Sequence, residues 1–114
     1  GVAFSIDSWL EDYPDASDFF DVKFATSSIS DENSNNDCFY SNPKLDAMIE
    51  QARFELDDAK RVEEYKAIER LLYDEAPWIW EYHRHFLEVT QPYVHGYEPH
   101  PVWLRDYTDA WISR

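Results

Sequence analysis

The chain has 114 residues, 44% of them hydrophobic and 18% aromatic, which suffices for one domain and is too apolar for a disordered protein. Its 24 acidic and 10 basic side chains give a net charge of -14, which argues against nucleic acid or an anionic membrane surface as a partner. No apolar run approaches the ~20 residues of a transmembrane helix. We expect no signal peptide within the chain, because its first residues lack a basic and an apolar region. Cys38 is the only cysteine, so no internal disulfide can form.

Residues 4–9 form a short alternating run that predicts a β-strand, with Phe4, Ile6 and Ser8 on one side and Ser5, Asp7 and Trp9 on the other. Pro14 lacks the N–H that a ladder requires, so the strand must end before it. We therefore expect Trp9 and Asp12 where the strand breaks into a loop, a position that often carries ligand contacts. A tryptophan offers a wide, rigid contact surface, and a carboxylate can hold an ammonium group by charge-assisted hydrogen bonds. A core tryptophan with a solvated or turn-capping aspartate is the alternative that these residues leave open.

The stretch 16–25 contains four large apolar residues and predicts a short helix that packs in the core, with Asp15 or Ser17 as its cap. The polar, aperiodic stretch 27–36 predicts a surface loop. Acidic and amide residues there resemble the alternating ligands of a calcium loop: Asp31, Asn33, Asn35 and Asp37. The glycine and the final glutamate of such a loop are absent, so we expect a mobile surface loop without calcium.

Two amphipathic helices are predicted next. Asn42 suits the cap of the first and Pro43 its first helical position. Its apolar face is predicted to comprise Leu45, Met48, Ile49, Ala52 and Leu56. Asp57 and Asp58 can cap the second helix, which Pro77 limits to roughly 18 residues. Its buried side is predicted to comprise Val62, Tyr65, Ile68, Leu71 and Leu72.

Residues 78–83 and 86–90 predict an antiparallel hairpin with its turn near Arg84 and His85. Aromatic residues on both faces of the first strand indicate burial on both sides. From Pro92 onward the sequence resembles a loop, with a docked terminal segment at 103–112. The four histidines lack any metal-ligand spacing, so we expect surface or hydrogen-bonded histidines instead of a metal site.

No catalytic constellation is present in the sequence: there is no nucleophile elbow, no phosphate loop, and no cysteine beside a recognisable base. The carboxylates of Glu11 and Asp12 could in principle serve a glycosidase. Adjacent residues on a strand point to opposite faces, which argues against a shared substrate. We therefore expect the protein not to be an enzyme.

Four segments together resemble the family 5 extracellular solute-binding proteins, the oligopeptide- and dipeptide-binding receptors of ABC importers. Residues 9–15, WLEDYPD, are similar to the W-x-x-D-Y-x-D/E segment of this family. Residues 42–46, NPKLD, resemble its helix start, and Arg61 with Tyr65 resembles its R-x-x-x-Y helix. Residues 76–77 and 94–97, AP and VHGY, resemble its A-P … V-x-G-Y ending. The landmarks follow the order of the family and cover most of the chain.

The resemblance implies a mixed α/β chain that forms the C-terminal part of a two-lobed periplasmic-binding-protein type II fold. Residues 1–93 would belong to the second lobe and residues 94–114 would return to the first lobe. Members have several hundred residues, so the remainder of its own chain would be a partner of this part. In the family the two lobes close over the ligand like a hinged clamp.

The resemblance also implies a function and a site. The protein would be a periplasmic or otherwise extracytoplasmic receptor, with or without a lipid anchor. It would bind a small peptide or other small solute and dock on the membrane permease of an ABC importer. It would need no cofactor, metal or nucleic acid. In peptide-binding members the aspartate of the W-x-x-D segment receives the α-ammonium of the ligand, which carries over to Asp12. The backbone of Ser8, Trp9 and Leu10 would pair with an extended peptide, and Trp9 would line the pocket. Ser8 replaces a glycine that many relatives have, which bears on how closely the ligand backbone can approach.

Three alternatives remain open from the sequence. The family also includes receptors for oligosaccharides, nickel complexes and haem, so another small solute can replace the peptide. A carboxylate-dependent hydrolase fragment is the first alternative of another class. A non-catalytic interaction domain whose aromatic surface docks a partner is the second.

Overall fold

The structure is a computed structural model of the chain and describes residues 4–83, 85–100 and 102–113. Within those residues it contains three α-helices, a short 3-10 helix and four short strands. In chain order these are α1 (Ser17–Phe24), the 3-10 helix (Thr26–Ser28), α2 (Pro43–Phe54), α3 (Asp58–Glu75), β1 (Val94–His95), β2 (Glu98–His100), β3 (Leu104–Asp106) and β4 (Trp111–Ile112). The mixture of helices and strands confirms the predicted α/β class. No helix in the described part of the chain is long and apolar enough to cross a bilayer.

The chain divides into two compact units. The helical unit is Asp15–Trp80 and holds the three α-helices. The strand unit combines the described residues of Gly1–Pro14 and Glu81–Arg114 and holds the four strands. The predicted lobe boundary between residues 93 and 94 refers to a longer chain and stays a prediction.

Both predicted caps of the long helices are confirmed. The Asn42 carboxamide oxygen accepts hydrogen bonds from the backbone N–H groups of Lys44 at 2.9 Å and Leu45 at 3.4 Å. Asp57 caps α3 by accepting from the Lys60 N–H at 2.9 Å. These side chains satisfy donors that have no partner inside the first turn of a helix. Helix α3 has the expected 18 residues and ends at Glu75, two residues before Pro77.

The core of the helical unit lies between the three helices, which bury Phe24, Ala25, Leu45, Ile49, Ala52, Tyr65, Ile68 and Leu72. These residues include most of the predicted apolar positions of α2 and α3. Leu56 and Val62 were predicted to be buried and are 94% and 52% exposed. Helix α2 ends at Phe54, so Leu56 lies beyond its apolar face, and the core gathers around the middle and the C-terminal half of α3.

An aromatic group closes one side of this core. The ring of Phe24 lies 4.9 Å from the ring of Trp78 and 5.8 Å from that of Trp80, measured between centroids. The two indoles are 5.9 Å apart and tilted by 42°. The Lys23 ammonium lies 5.8 Å from the Trp78 ring, a cation–π contact. This group holds the chain after α3 against the end of α1.

The predicted opening strand and the predicted hairpin are wrong. Residues 4–11, 79–83 and 85–91 form no strand, and Arg84, at the predicted turn, lies outside the described residues. Alternating side chains mark which face of a strand is apolar, but a strand forms only where a neighbouring strand accepts its backbone hydrogen bonds. These stretches have no such neighbour within the described residues, and Ile6 and Tyr82 are 85% and 74% exposed. The expected burial of the first hairpin strand on both sides is therefore wrong as well.

Two short antiparallel ladders form the strand unit instead. Strand β1 pairs with β4, with Val94 opposite Ile112, and β2 pairs with β3, with Pro99 opposite Arg105. Gly96 connects β1 to β2 with a φ of 67°, and a Cβ there would lie 2.1 Å from the Asp109 carbonyl oxygen. Only glycine fits such a position. These ladders span two or three residues each, too few to give a visible alternation in the sequence.

Candidate functional site

The four predicted ligand-binding residues lie together on the irregular N-terminal segment of the strand unit. Ser8 and Asp12 are exposed, Leu10 is 49% exposed, and Trp9 is half-buried. Residues 8–12 therefore place backbone groups, part of the Trp9 indole and the Asp12 carboxylate at the surface. These are the groups with which an extended chain carrying an ammonium end can be bound.

Asp15, the last residue of the W-x-x-D-Y-x-D/E segment, is the first residue of the helical unit and forms an ion pair with Arg61 there. Its two carboxylate oxygens accept hydrogen bonds from the two terminal nitrogens of Arg61 at 2.5 Å and 2.6 Å. One of these oxygens also accepts from the Ser17 N–H at 2.9 Å, at the start of α1. The bidentate guanidinium–carboxylate arrangement is stronger and more directional than a single contact.

Arg61 is itself held by three further contacts. Its Nε donates to the Ala52 carbonyl in α2 at 3.1 Å, and Nη2 donates to the Tyr65 hydroxyl at 3.3 Å. The guanidinium lies 5.0 Å from the centroid of the Tyr65 ring, which stacks on Phe20 at 5.5 Å. Arg61 thereby connects residue 15 with all three helices. These contacts give Arg61 and Tyr65 a structural role.

The electrostatics of the pair match its geometry. The hydrogen bond from Arg61 holds the pKa of Asp15 well below its ordinary value of 3.8. The same bond raises the pKa of Arg61 above its ordinary value. Both groups are therefore charged throughout the pH range in which proteins are normally handled. Burial raises the pKa of Tyr65, so its hydroxyl stays protonated beside them.

A second polar network fastens the loop before α2 to the end of α3. Asn42 uses its amide nitrogen to donate to Glu75 at 2.9 Å and to the Tyr40 hydroxyl at 3.0 Å. Tyr40 donates its own proton to Glu75 at 2.5 Å. Burial and the neighbouring Glu75 raise the pKa of Tyr40, whereas hydrogen bonds from Tyr40 and Asn42 lower that of Glu75. These hydrogen bonds have a structural role, because they join the loop before α2 to the last residue of α3.

The polar stretch before Tyr40 is a loop, as expected, and contacts the helical unit through Asn36 and Asp37. Asn36 is fully buried, and its amide nitrogen donates to the carbonyls of Ala25 at 3.1 Å and Tyr40 at 2.8 Å. Asp37 forms an ion pair with the buried Lys23 at 2.7 Å. Asp37, one of the possible calcium ligands, therefore already has a cationic partner. In the described part of the chain, no group of three or more histidine, cysteine, aspartate or glutamate side chains could hold a metal ion.

The histidines behave as predicted. The His95 ring hydrogen-bonds with the Ser113 hydroxyl at 2.9 Å and stacks on Trp111. The Nδ1 atom of His100 accepts from the backbone N–H of Val102 at 3.1 Å. His83 and His85 are exposed. The expectation of surface or hydrogen-bonded histidines is therefore confirmed.

The sequence predicted the exposed residues of the segment but missed its anchor. Asp15 and Arg61 are 46 residues apart, so no periodicity links them. The only signal is that both belong to segments that resemble the same family. The structure brings these two segments together through a direct ion pair.

A comparison with known proteins found a similar protein. Over 101 residues the chain is 27% identical to "Di/tripeptide-binding protein 2" of Pseudomonas aeruginosa (strain UCBPP-PA14). The aligned region covers 89% of this chain and 19% of that protein, so the chain spans about a fifth of the length of this relative. No protein-family profile matches the chain, and no solved structure matches it. The chain is therefore similar to part of a peptide-binding protein.

Proposed function

We propose that the chain is part of an extracytoplasmic peptide receptor of the family 5 solute-binding type, which delivers small peptides to the membrane permease of an ABC importer. The observation that carries the proposal is the similarity, along 89% of the chain, to a protein named for di- and tripeptide binding. The ordered set of four family-like segments supports it as well. A binding role also agrees with the absence of a recognisable catalytic motif in the sequence.

In this proposal the chain supplies the C-terminal part of a two-lobed fold. Residues 1–93 belong to the second lobe and residues 94–114 return to the first, while the rest of the first lobe comes from the remainder of the same protein. A peptide lies extended between the lobes and pairs with strand-like backbone, so affinity depends little on the identity of its side chains. Closure of the lobes removes water from the ligand.

Asp12 is the residue that recognises the end of the peptide. It is exposed on the N-terminal segment, where it can hold the α-ammonium of the ligand by a charge-assisted hydrogen bond. The backbone of Ser8, Trp9 and Leu10 provides the pairing edge. The half-buried Trp9 presents part of its indole to the ligand.

A ligand-stabilisation screen tests the class of protein. The full-length protein that contains this chain is heated with a panel of free dipeptides and tripeptides that includes dialanine and trialanine. We expect the melting temperature to rise with peptide concentration, because a ligand that binds only the native state stabilises it by mass action. The peptides should be recovered intact afterwards. Hydrolysed peptides would identify an enzyme, and stabilisation by oligosaccharides alone would replace the peptide with another solute.

The role of Asp12 is tested by Asp12→Asn, which keeps the shape and one acceptor oxygen but removes the charge. A hydrogen bond to a charged group is worth about 1.5–3 kcal/mol, more if its loss leaves a buried charge. Calorimetry should therefore show free peptides binding roughly tenfold to several hundredfold more weakly. N-acetylated peptides should bind the wild type poorly and lose much of that disadvantage in the variant, because both changes remove one interaction.

Asp7→Asn is the matched control, since it removes the same charge five residues earlier on the same segment. We expect it to leave peptide affinity within a factor of about two, because long-range charge effects at the surface are screened. A folded Asp12→Asn protein with unchanged affinity for free peptides would refute the assigned role. An uncharged solute stacked on Trp9 would then be the better explanation.

A further inference from the structure

The anchor at Asp15 lies three residues after Asp12, and little freedom separates the two. Three residues span at most ~11 Å when fully extended. Pro14 lies between them and fixes its own φ, while the residue before a proline, Tyr13, is restricted to extended backbone. Asp12 and Asp15 are therefore joined by a short stretch of chain with few free backbone rotations.

The anchor itself is held from several sides. Arg61 reaches the Asp15 carboxylate with two nitrogens, and a third nitrogen donates to the Ala52 carbonyl. The side chains of Asp15 and Arg61 are only 26% and 25% exposed. A partly buried, bidentate pair holds its partners in one geometry, whereas an exposed single contact leaves them mobile.

We infer that Asp15 and Arg61 are a positioning pair for peptide recognition: their ion pair fixes the segment that presents Asp12 to the α-ammonium of the ligand. The inference rests on the proposed function. Neither residue needs to contact the peptide. Their effect reaches the ligand through Asp12, because a charged hydrogen bond loses strength steeply when its acceptor is misplaced.

The first test is Asp15→Asn in the full-length protein. The asparagine retains an oxygen that can accept from the Ser17 N–H, so this hydrogen bond beside the start of α1 can be kept. It removes the charge and the second acceptor that Arg61 requires. We expect calorimetry to show trialanine binding about three- to thirtyfold more weakly, a part of the loss that removal of the Asp12 charge itself would cause. The preference for free over N-acetylated trialanine should shrink as well.

Arg61→Lys is the second variant and keeps the positive charge while it removes the planar fork. A lysine cannot reproduce a bidentate contact with a carboxylate, so affinity should again fall, by less than in Asp15→Asn. This variant changes no residue of the N-terminal segment. A loss in both variants therefore points to the pair and not to a change in the segment itself.

Asp21→Asn is the matched control because Asp21 also forms an ion pair with an arginine in the same unit, through two hydrogen bonds to one of its oxygens. Its Oδ2 accepts from Arg53 at 2.7 Å and 3.2 Å, which connects α1 with α2. Asp21 is in the middle of α1, with no short covalent path to Asp12. We expect Asp21→Asn to change the melting temperature by an amount comparable to Asp15→Asn and to leave trialanine affinity unchanged.

A double-mutant cycle separates positioning from general destabilisation. If Asp15 acts through Asp12, then Asp15→Asn should have almost no further effect on affinity in an Asp12→Asn background. An additive effect, or equal losses in Asp15→Asn and Asp21→Asn, would overturn the inference and leave the proposed function intact. A wild-type protein that binds no dipeptide or tripeptide of the panel would instead overturn the proposed function, and this inference with it.

Discussion

The two units of the molecule satisfy their backbone hydrogen bonds in different ways. In the helical unit, α2 and α3 bond internally, are capped by Asn42 and Asp57, and bury Leu45, Ile68 and Leu72 completely. In the strand unit, the described residues form two ladders of two and three residue pairs. Long stretches there have no strand partner and expose large apolar side chains, including Leu87 and Val89 at 91% and 88%.

This difference follows from the range of the interactions. A helix closes each hydrogen bond within four residues, so its formation depends mainly on the local sequence and on one packing face. A strand needs a second strand that can lie anywhere in the chain. The contrast predicts that most of the stability of the chain resides in the core of the helical unit.

Leu72→Ala should cause the largest loss of stability. The side chain is completely buried between the helices, so its truncation leaves a cavity and should lower the free energy of unfolding by about 2–5 kcal/mol. The matched change Leu87→Ala removes the same atoms from a side chain that is 91% exposed, and should alter that free energy by about 0.5 kcal/mol or less. Urea titrations of the 114-residue chain, followed by fluorescence, provide the values. Equal losses in the two variants would show that the strand unit has a core of its own.

Gly96→Ala should disrupt the strand unit alone. The new Cβ would meet the Asp109 carbonyl oxygen at 2.1 Å, and the φ of 67° is strained for alanine, so a local cost of about 1–3 kcal/mol is expected. Amide hydrogen exchange should accelerate in β1 and β4 and stay unchanged in α2 and α3. Asp109→Ala is the control, since it keeps the carbonyl that approaches residue 96. Faster exchange in the helices would mean that the two units unfold together.

The smallest effect concerns acid stability and the Asp15–Arg61 ion pair. The pKa of Asp15 is lowered in the folded chain, so its contribution is present above the ordinary value of 3.8 and is lost as the pH falls toward the lowered value. Asp15→Asn removes this contribution, which is about 1 kcal/mol or less for a partly exposed pair. Urea midpoints measured from neutral pH down to about pH 2 should therefore fall more steeply in the wild type than in the variant. Parallel curves would show that the pair contributes no pH-dependent stability.

Local signals in the sequence were sufficient for the helices. The start of α2 follows from the pair Asn42 and Pro43, and the length of α3 from Asp57 and Pro77, because each acts within one turn. The predictions for Leu56 and Val62 were wrong because the helical spacing of apolar residues continues past the part of each helix that packs in the core. Both side chains are therefore exposed. The strands could not be predicted in the same way, since an alternating stretch such as residues 4–9 does not reveal whether a partner exists.

The candidate site shows the same limit at a smaller scale. Trp9 and Asp12 could be selected from the sequence by residue type and by the resemblance, and their assigned contact with a ligand stays a prediction. The contact between Asp15 and Arg61 could not be selected, because it depends on how α3 packs beside the start of α1. Asn36 was likewise assigned to a surface loop from its polar neighbours, although its side chain is buried and donates to the carbonyls of Ala25 and Tyr40.

The indole pair at the end of the helical unit has an optical consequence. Trp78 and Trp80 lie 5.9 Å apart with their rings tilted by 42°, so their electronic transitions couple through space. Such coupling produces a pair of circular-dichroism bands of opposite sign, superimposed on the far-ultraviolet signal of the peptide groups. Helix content deduced from the ellipticity of this protein will therefore be biased. Replacing either tryptophan with phenylalanine would change the spectrum even when every helical turn is preserved.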